Sequence, residues 1–334
     1  MQIITDPDKI DRTDWSAFVY RHPQGNIFQT PEMYDVYLIT KNYCPLMFFA
    51  FDNDQICGVL VALVQKEHKG FLGKFSSRCI LWGAPLILNN DASVFSSLIK
   101  VFDIKVKKLA IYTQFRNIDN VAHFHHLFSA SHFKYEPHLD ILINTENPFE
   151  SIIETFHKSR IRNYNKALNK GVTIKLIDKY DDIVKCYDLL LKTYQRVKLP
   201  YPDITLFKAV YEILLPKNYC LIFGLFYQDL LIGFRLVLTY KNCMYDYYAG
   251  SSAEHTNKYP NDVLIFEILK HACNTNFDVF DFGGAGKPGV PYGVRDHKMN
   301  FGGNLVEYGR YEKINQPISY SIAKTAFGVW KFFK

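Results

Sequence analysis

The sequence predicts an α/β protein of the α+β kind, built from two units that each carry a mixed sheet flanked by helices. Three observations predict it. The chain has 334 residues, 48% hydrophobic and 16% aromatic, which is material for two packed cores. An apolar strand, a polar turn and a second strand occur twice, 175 residues apart and without gaps: Phe48–Phe51 to Ile56–Val61, and Phe223–Phe226 to Leu231–Leu236. Each copy has a glycine seven residues after its last phenylalanine, Gly58 and Gly233. Their neighbours also match, and so point to duplication of a whole unit.

In order along the chain, Pro31 to Thr40 reads as a helix ahead of the first hairpin, and Cys79 to Trp82 as a strand after it. Leu139 to Ile143 is a strand, closed by the turn cluster Asn144 to Pro148. A helix is expected from about Pro148 to Lys170, with Gly171 as its C-cap, and then a strand over Val172 to Leu176. Ile204 to Leu214 reads as the helix before the second hairpin, and Met244 to Ala249 as the strand after it. The expected units are residues 1–150 and 151–313. The amphipathic, aromatic-rich end (314–334) is expected to pack back on the first.

The last strand, with Phe277, Val279, Phe280 and Phe282, stops abruptly at Gly283-Gly284. A loop rich in Gly and Pro follows, and then a basic stretch reaching Phe301-Gly302-Gly303. Such a loop is too long and too costly to order for a mere connection. It reads as an active-site loop on a strand end.

A net charge of +6 permits an anionic ligand such as a nucleotide or a tRNA end, but is far from that of a dedicated nucleic-acid protein. The seven cysteines are scattered without CxxC spacing and read as small buried residues of a reducing compartment. The N-terminus is polar and acidic, without an apolar leader, and no apolar run reaches span length. A cytoplasmic location follows as the expectation, with the inner membrane face as the place for any peripheral membrane contact.

Lys158, Arg162, Lys166 and Lys170 recur every four residues, with no acid between 157 and 170. Residues four apart share one helical ridge. Like charges there cost stability unless an anion sits on them. The ridge reads either as a clamp for phosphates or a nucleotide-linked acceptor, or as an ordinary solvated face. Arg235 interrupts an apolar strand, and faces either a cleft or solvent at a sheet edge. On the next strand Tyr247 or Asp246 is placed to hydrogen-bond an acceptor. His123, His125 and His126 have no carboxylate or cysteine at ligand spacing, so no metal site is expected.

The motifs Asp281-Phe282-Gly283-Gly284, His297-Lys298-Met299-Asn300-Phe301-Gly302-Gly303 and the run from Lys158 to Val172 resemble the Fem-type branch of the GNAT acyltransferase superfamily. The order and spacing of elements fit along nearly the whole chain. The resemblance implies tandem GNAT-like domains and amide-bond formation on a cell-envelope precursor. It implies that Lys298 stabilises the oxyanion of the tetrahedral intermediate, where one donor is worth about 2.7–4 kcal/mol. Asp281 is then the carboxylate candidate for the incoming amine, or else a cap for the loop backbone. Phe301 joins Lys158, Arg162, Lys166, Arg235 and Tyr247 in the substrate-binding set.

No cofactor is expected, the donor being a co-substrate. Acetyl-CoA-dependent GNAT enzymes carry a glycine-rich loop for the pyrophosphate. Here the corresponding segment, Ser251 to Asn261, has no glycine and contains Glu254. That favours aminoacyl-tRNA over acyl-CoA. The implied acceptor is an amine on a nucleotide- or lipid-linked peptidoglycan or polysaccharide precursor. An acyl-CoA N-acyltransferase acting on an amino sugar, and a catalytically silent GNAT-like binding protein, remain the alternatives.

Overall fold

The computed structural model describes residues 1–66 and 76–333, with side chains to residue 325. The chain divides into two compact units, Met1–Pro137 with Tyr308–Lys334, and His138–Glu307. In chain order the strands are β1 Gln2–Ile4, β2 Tyr43–Asp52, β3 Gln55–Lys66, β4 Ser77–Trp82, β5 Leu86–Ile87, β6 Tyr112–Arg116 and β7 Lys134–Glu136. They continue as β8 Leu139–Asn144, β9 Val172–Leu176, β10 Cys220–Tyr227, β11 Leu230–Tyr240, β12 Cys243–Ser251, β13 Val279–Gly284, β14 Asn304–Glu307 and β15 Arg310–Ile314.

Among the described residues the first unit holds the sheet β1-β2-β3-β4-β6-β15-β7, with β5 paired to β3. The second holds the sheet β14-β8-β13-β12-β11-β10-β9. Both sheets are mixed. In each, an antiparallel hairpin leads to a strand that pairs in parallel with the next but for a crossover helix: β4 with β6, and β12 with β13. The crossovers are the helices Ala92–Val106 and Pro260–Asn274. A parallel pair requires such a connection.

The repeated hairpins agree in register. Phe51 faces Ile56 and Ala50 faces Gly58, with a bulge between. Phe226 faces Leu231 and Leu225 faces Gly233, again with a bulge between. The turns are Asn53-Asp54 and Gln228-Asp229, all four with positive φ, as a two-residue type I′ hairpin requires. The paired glycines have one cause. A Cβ on Gly58 would lie 2.9 Å from Val94 and 2.7 Å from Leu98, and a Cβ on Gly233 would lie 2.9 Å from Pro260. In both units the crossover helix packs directly on the hairpin at that glycine.

Three sequence expectations need correction. The first concerns the boundary, which falls at residues 137–138 instead of near 150. The strand Leu139–Asn144 belongs to the second sheet, because its partners are β13 and β14. The Asn144 to Pro148 turn therefore lies inside the second unit. The second concerns the single helix expected from Pro148 to Lys170, which is two: Phe149–Ile153 and Lys158–Asn169. Phe156 is buried between them, and extended His157 caps the second, its ring accepting from the Ser159 N–H. Burying Phe156 outweighs helical continuity. The third concerns the second boundary, where β15 (Arg310–Ile314) joins the first sheet through β6 and β7. The helix Pro317–Phe333 follows it. Among the described residues no helix is long and apolar enough to cross a membrane.

Because the two glycines play one role, Gly58→Ala and Gly233→Ala should each cost about 1–3 kcal/mol through overpacking. Urea unfolding of the single variants measures this. Loss at one site only would mean that the helix–hairpin contacts are not equivalent.

Candidate active site

In the second unit the parallel pairing of β12 with β13 covers only Cys243–Val279, Met244–Phe280 and Tyr245–Asp281. Beyond that level the two strands part. Both are deflected there. β12 is bulged at Tyr247, since Leu236 faces Tyr248 while Val237 faces Asp246. β13 shifts register against β8 between Asp281 and Gly284. A bulge bends its strand and ends regular pairing. The first unit lacks this feature: β4 and β6 stay paired from Arg78–Tyr112 to Trp82–Arg116 without a shift.

Charged side chains collect where the strands part. Arg235 on β11, 8% exposed, is ion-paired with Asp246 on β12. Asp281 and Asp140, 3% and 6% exposed, lie on the neighbouring strands β13 and β8 and are hydrogen-bonded to each other. Asp281 also accepts from the Gly283 N–H at 2.7 Å, and Asp140 from the Ile141 N–H at 2.8 Å. Burial first, and the Asp140 charge second, push the Asp281 carboxyl well above the usual range, against the pull of Gly283 N–H and Lys298. Asp281 is thereby biased toward its protonated form. Two cations stand against Asp246 and this pair. Tyr194 on the helix Tyr180–Arg196 borders it, its hydroxyl pushed up to about 12 by burial and by Asp246, with Arg235 opposing.

Lys298 is the second cation. It sits on the short helix Gly293–Met299, and its ammonium donates to the carbonyls of Phe282 (2.7 Å), Gly283 (3.2 Å) and Gly284 (3.0 Å). Burial lowers its pKa, opposed chiefly by the charges of Asp246 and Asp140. From the same helix Arg295 donates to the carbonyls of Ala285, Lys287 and Val290. One short helix thus holds the strand end with a lysine and the Gly/Pro loop with an arginine.

The carboxylate of Asp262, in the first turn of Pro260–Asn274, ties this helix to two others. It accepts from Arg160 at 2.8 and 3.0 Å, from Asn163 at 2.7 Å and from His297 Nε2 at 3.0 Å. Burial pushes Asp262 up, yet the hydrogen bonds from His297, Asn163 and Arg160 hold it below the usual carboxylate range.

Of the sequence-derived candidates, Lys298, Asp281 and Arg235 meet at the parting of the strands. Tyr247 is the bulged residue beside them and packs on Tyr248. Lys158, Arg162 and Lys166 stay together on an exposed helix face. Lys170, at its end, donates instead to the Asn257 carbonyl. Phe301 does not belong to an accessible site. It is 0% exposed, in a core cluster against Phe156 and Phe282, because the Gly302-Gly303 turn draws it inward. Sequence reasoning missed Asp140, Asp262, Arg160 and Arg295. For the two acids a signal existed: Asp140 is a lone carboxylate inside the apolar run Leu139–Ile143, and Asp262 stands directly before the apolar run Val263–Phe266. Among the described residues no group of three or more His, Cys, Asp or Glu is placed to hold a metal.

The description "Acetyltransferase (GNAT) domain" matches residues 156–299, which includes the parting strands and Lys298. No curated protein matches the chain. Among solved structures, FemX is similar with a TM-score of 0.73 at 15% identity, covering 97% of this chain and 100% of that one. This is a Fem-like tandem GNAT fold. The Fem-like arrangement is shared more distantly with L-PGS from Bacillus licheniformis (TM-score 0.58, 13% identity, 96% of each chain). A tandem GNAT protein from the clavulanic acid biosynthesis pathway is also similar (TM-score 0.58, 9% identity, 94% of this chain and 98% of that). At these identities the likeness is one of fold.

The two carboxylate sites of the Fem-like unit should respond to pH with opposite signs. Asp262, held low, adds stability that is complete above the unfolded value of about 3.9 and is lost as pH falls through its folded value. The Asp140–Asp281 pair, held high, adds stability that is complete below about 3.9 and is lost as pH rises through its folded value. Asp262→Ala should therefore cost about 3–5 kcal/mol near neutral pH, leaving Arg160 without its partner, and less in acid. Asp281→Asn should gain on the native chain as pH rises. Urea unfolding across pH, with parallel profiles for both variants, would overturn the assignment.

Proposed function

We propose that this protein is an acyltransferase that forms an amide bond on a cell-envelope precursor. Its donor is aminoacyl-tRNA, and its acceptor is an amine of a nucleotide- or lipid-linked peptidoglycan or polysaccharide precursor. The observation that carries this reading is the buried Lys298 ammonium at the parted strands of a Fem-like fold. FemX and L-PGS from Bacillus licheniformis share that fold over nearly their whole length.

In the proposed reaction the acceptor amine attacks the aminoacyl ester carbon. A C–N bond forms, the carbonyl oxygen becomes an oxyanion, and the ester C–O bond then breaks. The amine proton ends on the tRNA hydroxyl that leaves. Lys298 would exchange one of its three carbonyl partners for the oxyanion. Trading a neutral acceptor for an anionic one favours the transition state over the ground state. The charges of Asp246, Asp140 and Asp281 oppose the lowering of its pKa by burial.

The choice of donor rests on the connection between β12 and the helix Pro260–Asn274. It has no glycine after Gly250. It carries Glu254, which would repel a pyrophosphate, and lacks the glycines that open a cradle of backbone N–H groups. The matching acetyltransferase description favours the second reading, an acyl-CoA N-acyltransferase acting on an amino sugar. Purified protein incubated with envelope precursors and either aminoacyl-tRNA or acetyl-CoA, with products read by mass spectrometry, separates the two. Transfer from acetyl-CoA alone would sink the tRNA reading, and transfer from neither would sink both.

On the productive pair, Lys298→Met should lower kcat about a hundredfold or more with little change in KM. Lys298→Arg should rescue poorly, because the planar fork places its donors differently. A raised KM with normal kcat would mean that Lys298 grips a substrate phosphate. Replacing Lys158, Arg162 and Lys166 together by Gln should instead raise KM for the phosphate-bearing substrate and flatten its salt dependence. It should leave stability unchanged or slightly improved, since like charges four apart repel. An unchanged KM would make the ridge a solvated face.

A further inference from the structure

The corner of the first unit where the terminal helix begins carries a second surface. Asn315 and Gln316 anchor that helix: both backbone N–H groups donate to the Ile111 carbonyl, and the Gln316 side chain donates to the Lys107 carbonyl. Tyr320 then packs edge-on against Tyr112. The helix start is thereby held beside the C-terminal end of Ala92–Val106, where Lys105, Lys107 and Lys108 are all exposed. The nearest acid in that stretch, Asp103, is neutralised by Lys313 at 2.9 Å.

Apolar side chains stand in the same place without cover. Ile318 is 80% exposed and Ile322, one turn on, 51%. Ile104 and Ile314 are also exposed. In sequence the chain has no Asp or Glu after Glu312, while Lys313, Lys324, Lys331 and Lys334 recur and Phe327, Trp330, Phe332 and Phe333 accumulate. Exposed isoleucines beside a cluster of exposed lysines do not suit water. They suit a surface that is apolar beneath and anionic at the rim, which is the interface of an anionic bilayer.

We propose that the start of the terminal helix, with Ile318 and Ile322, and the Lys105–Lys108 corner dock together on an anionic lipid surface. The inference stands on this surface alone, independently of the acyl-transfer reading, and its test needs no substrate. If both hold, the lipid-linked acceptor gains over the nucleotide-linked one, because the enzyme would work where such an acceptor resides.

The test is cosedimentation of the full chain with vesicles of phosphatidylcholine alone, or of phosphatidylcholine mixed with phosphatidylglycerol. Binding is expected to the mixed vesicles only, and should weaken steeply with added salt. Ile318→Glu with Ile322→Glu should abolish it. Both side chains are exposed, so the thermal unfolding midpoint should stay at the native value and certify the fold. Lys107→Gln and Lys108→Gln should each weaken binding about fivefold, the worth of one cation near an anionic membrane surface. Equal sedimentation with both vesicle types, no sedimentation with either, or full binding by the double glutamate variant would overturn the proposal. So would a dimer that the double glutamate variant dissociates, since the patch would then be covered by a second copy.

Discussion

The site rests on one constraint: the parallel pairing of β12 and β13 ends after three residue pairs. A β-strand that loses its neighbour exposes backbone groups that must be satisfied by something else. On the β13 side Lys298 does this, placing one ammonium over three successive carbonyls. That places a cation in a mostly buried setting, which carries its own cost. The cost is offset in part by Asp246 and the hydrogen-bonded Asp140–Asp281 pair, beside the Arg235–Asp246 ion pair. The charged cluster follows from the parted strands, and the parted strands are held by the cluster.

The first unit shows the same topology without that constraint. Its parallel pair stays zipped for five residue pairs, and the position that corresponds to Arg235 at the 175-residue displacement is Leu60, fully buried in the core. One scaffold has thus been packed two ways. In the first unit the strands stay paired, and Cys79, Leu81 and Phe115 turn one face of the pair into the core. In the second the space between the strands is opened by two register shifts and lined with charge. The charged candidate site belongs to the second unit, and the first unit carries the C-terminal strand and helix.

The Asp262 cluster links this site to the basic helix. Arg160 and Asn163 turn inward to Asp262, while Lys158, Arg162 and Lys166 face outward from the same helix. His297, the third partner, is the residue before Lys298. An anion held on the outer ridge would therefore act on a helix whose inner face is coupled, through one buried carboxylate, to the helix that carries the lysine.

The sequence by itself determined what depends on near neighbours. The two hairpins with their polar turns, the paired glycines and the duplicated order were legible because a two-residue turn joins its strands locally. Lys298 and Asp281 were legible as candidates because a strand ending in Gly-Gly before a costly loop marks a site, and the family resemblance gave the lysine its role. Only the tertiary structure decided the rest. Asp140 lies in one strand and Asp281 in another, and nothing in either stretch says that their carboxyls meet. Arg160 and Arg162 look alike in sequence, yet one is drawn in by Asp262, a hundred residues away, and the other is left in solvent. Phe301 beside two glycines reads as accessible, but the turn those glycines make buries it. The helix from 148 to 170 broke at Phe156 for the same reason: local propensity is worth tenths of a kcal/mol per residue, and burying a phenylalanine about 1.5–3.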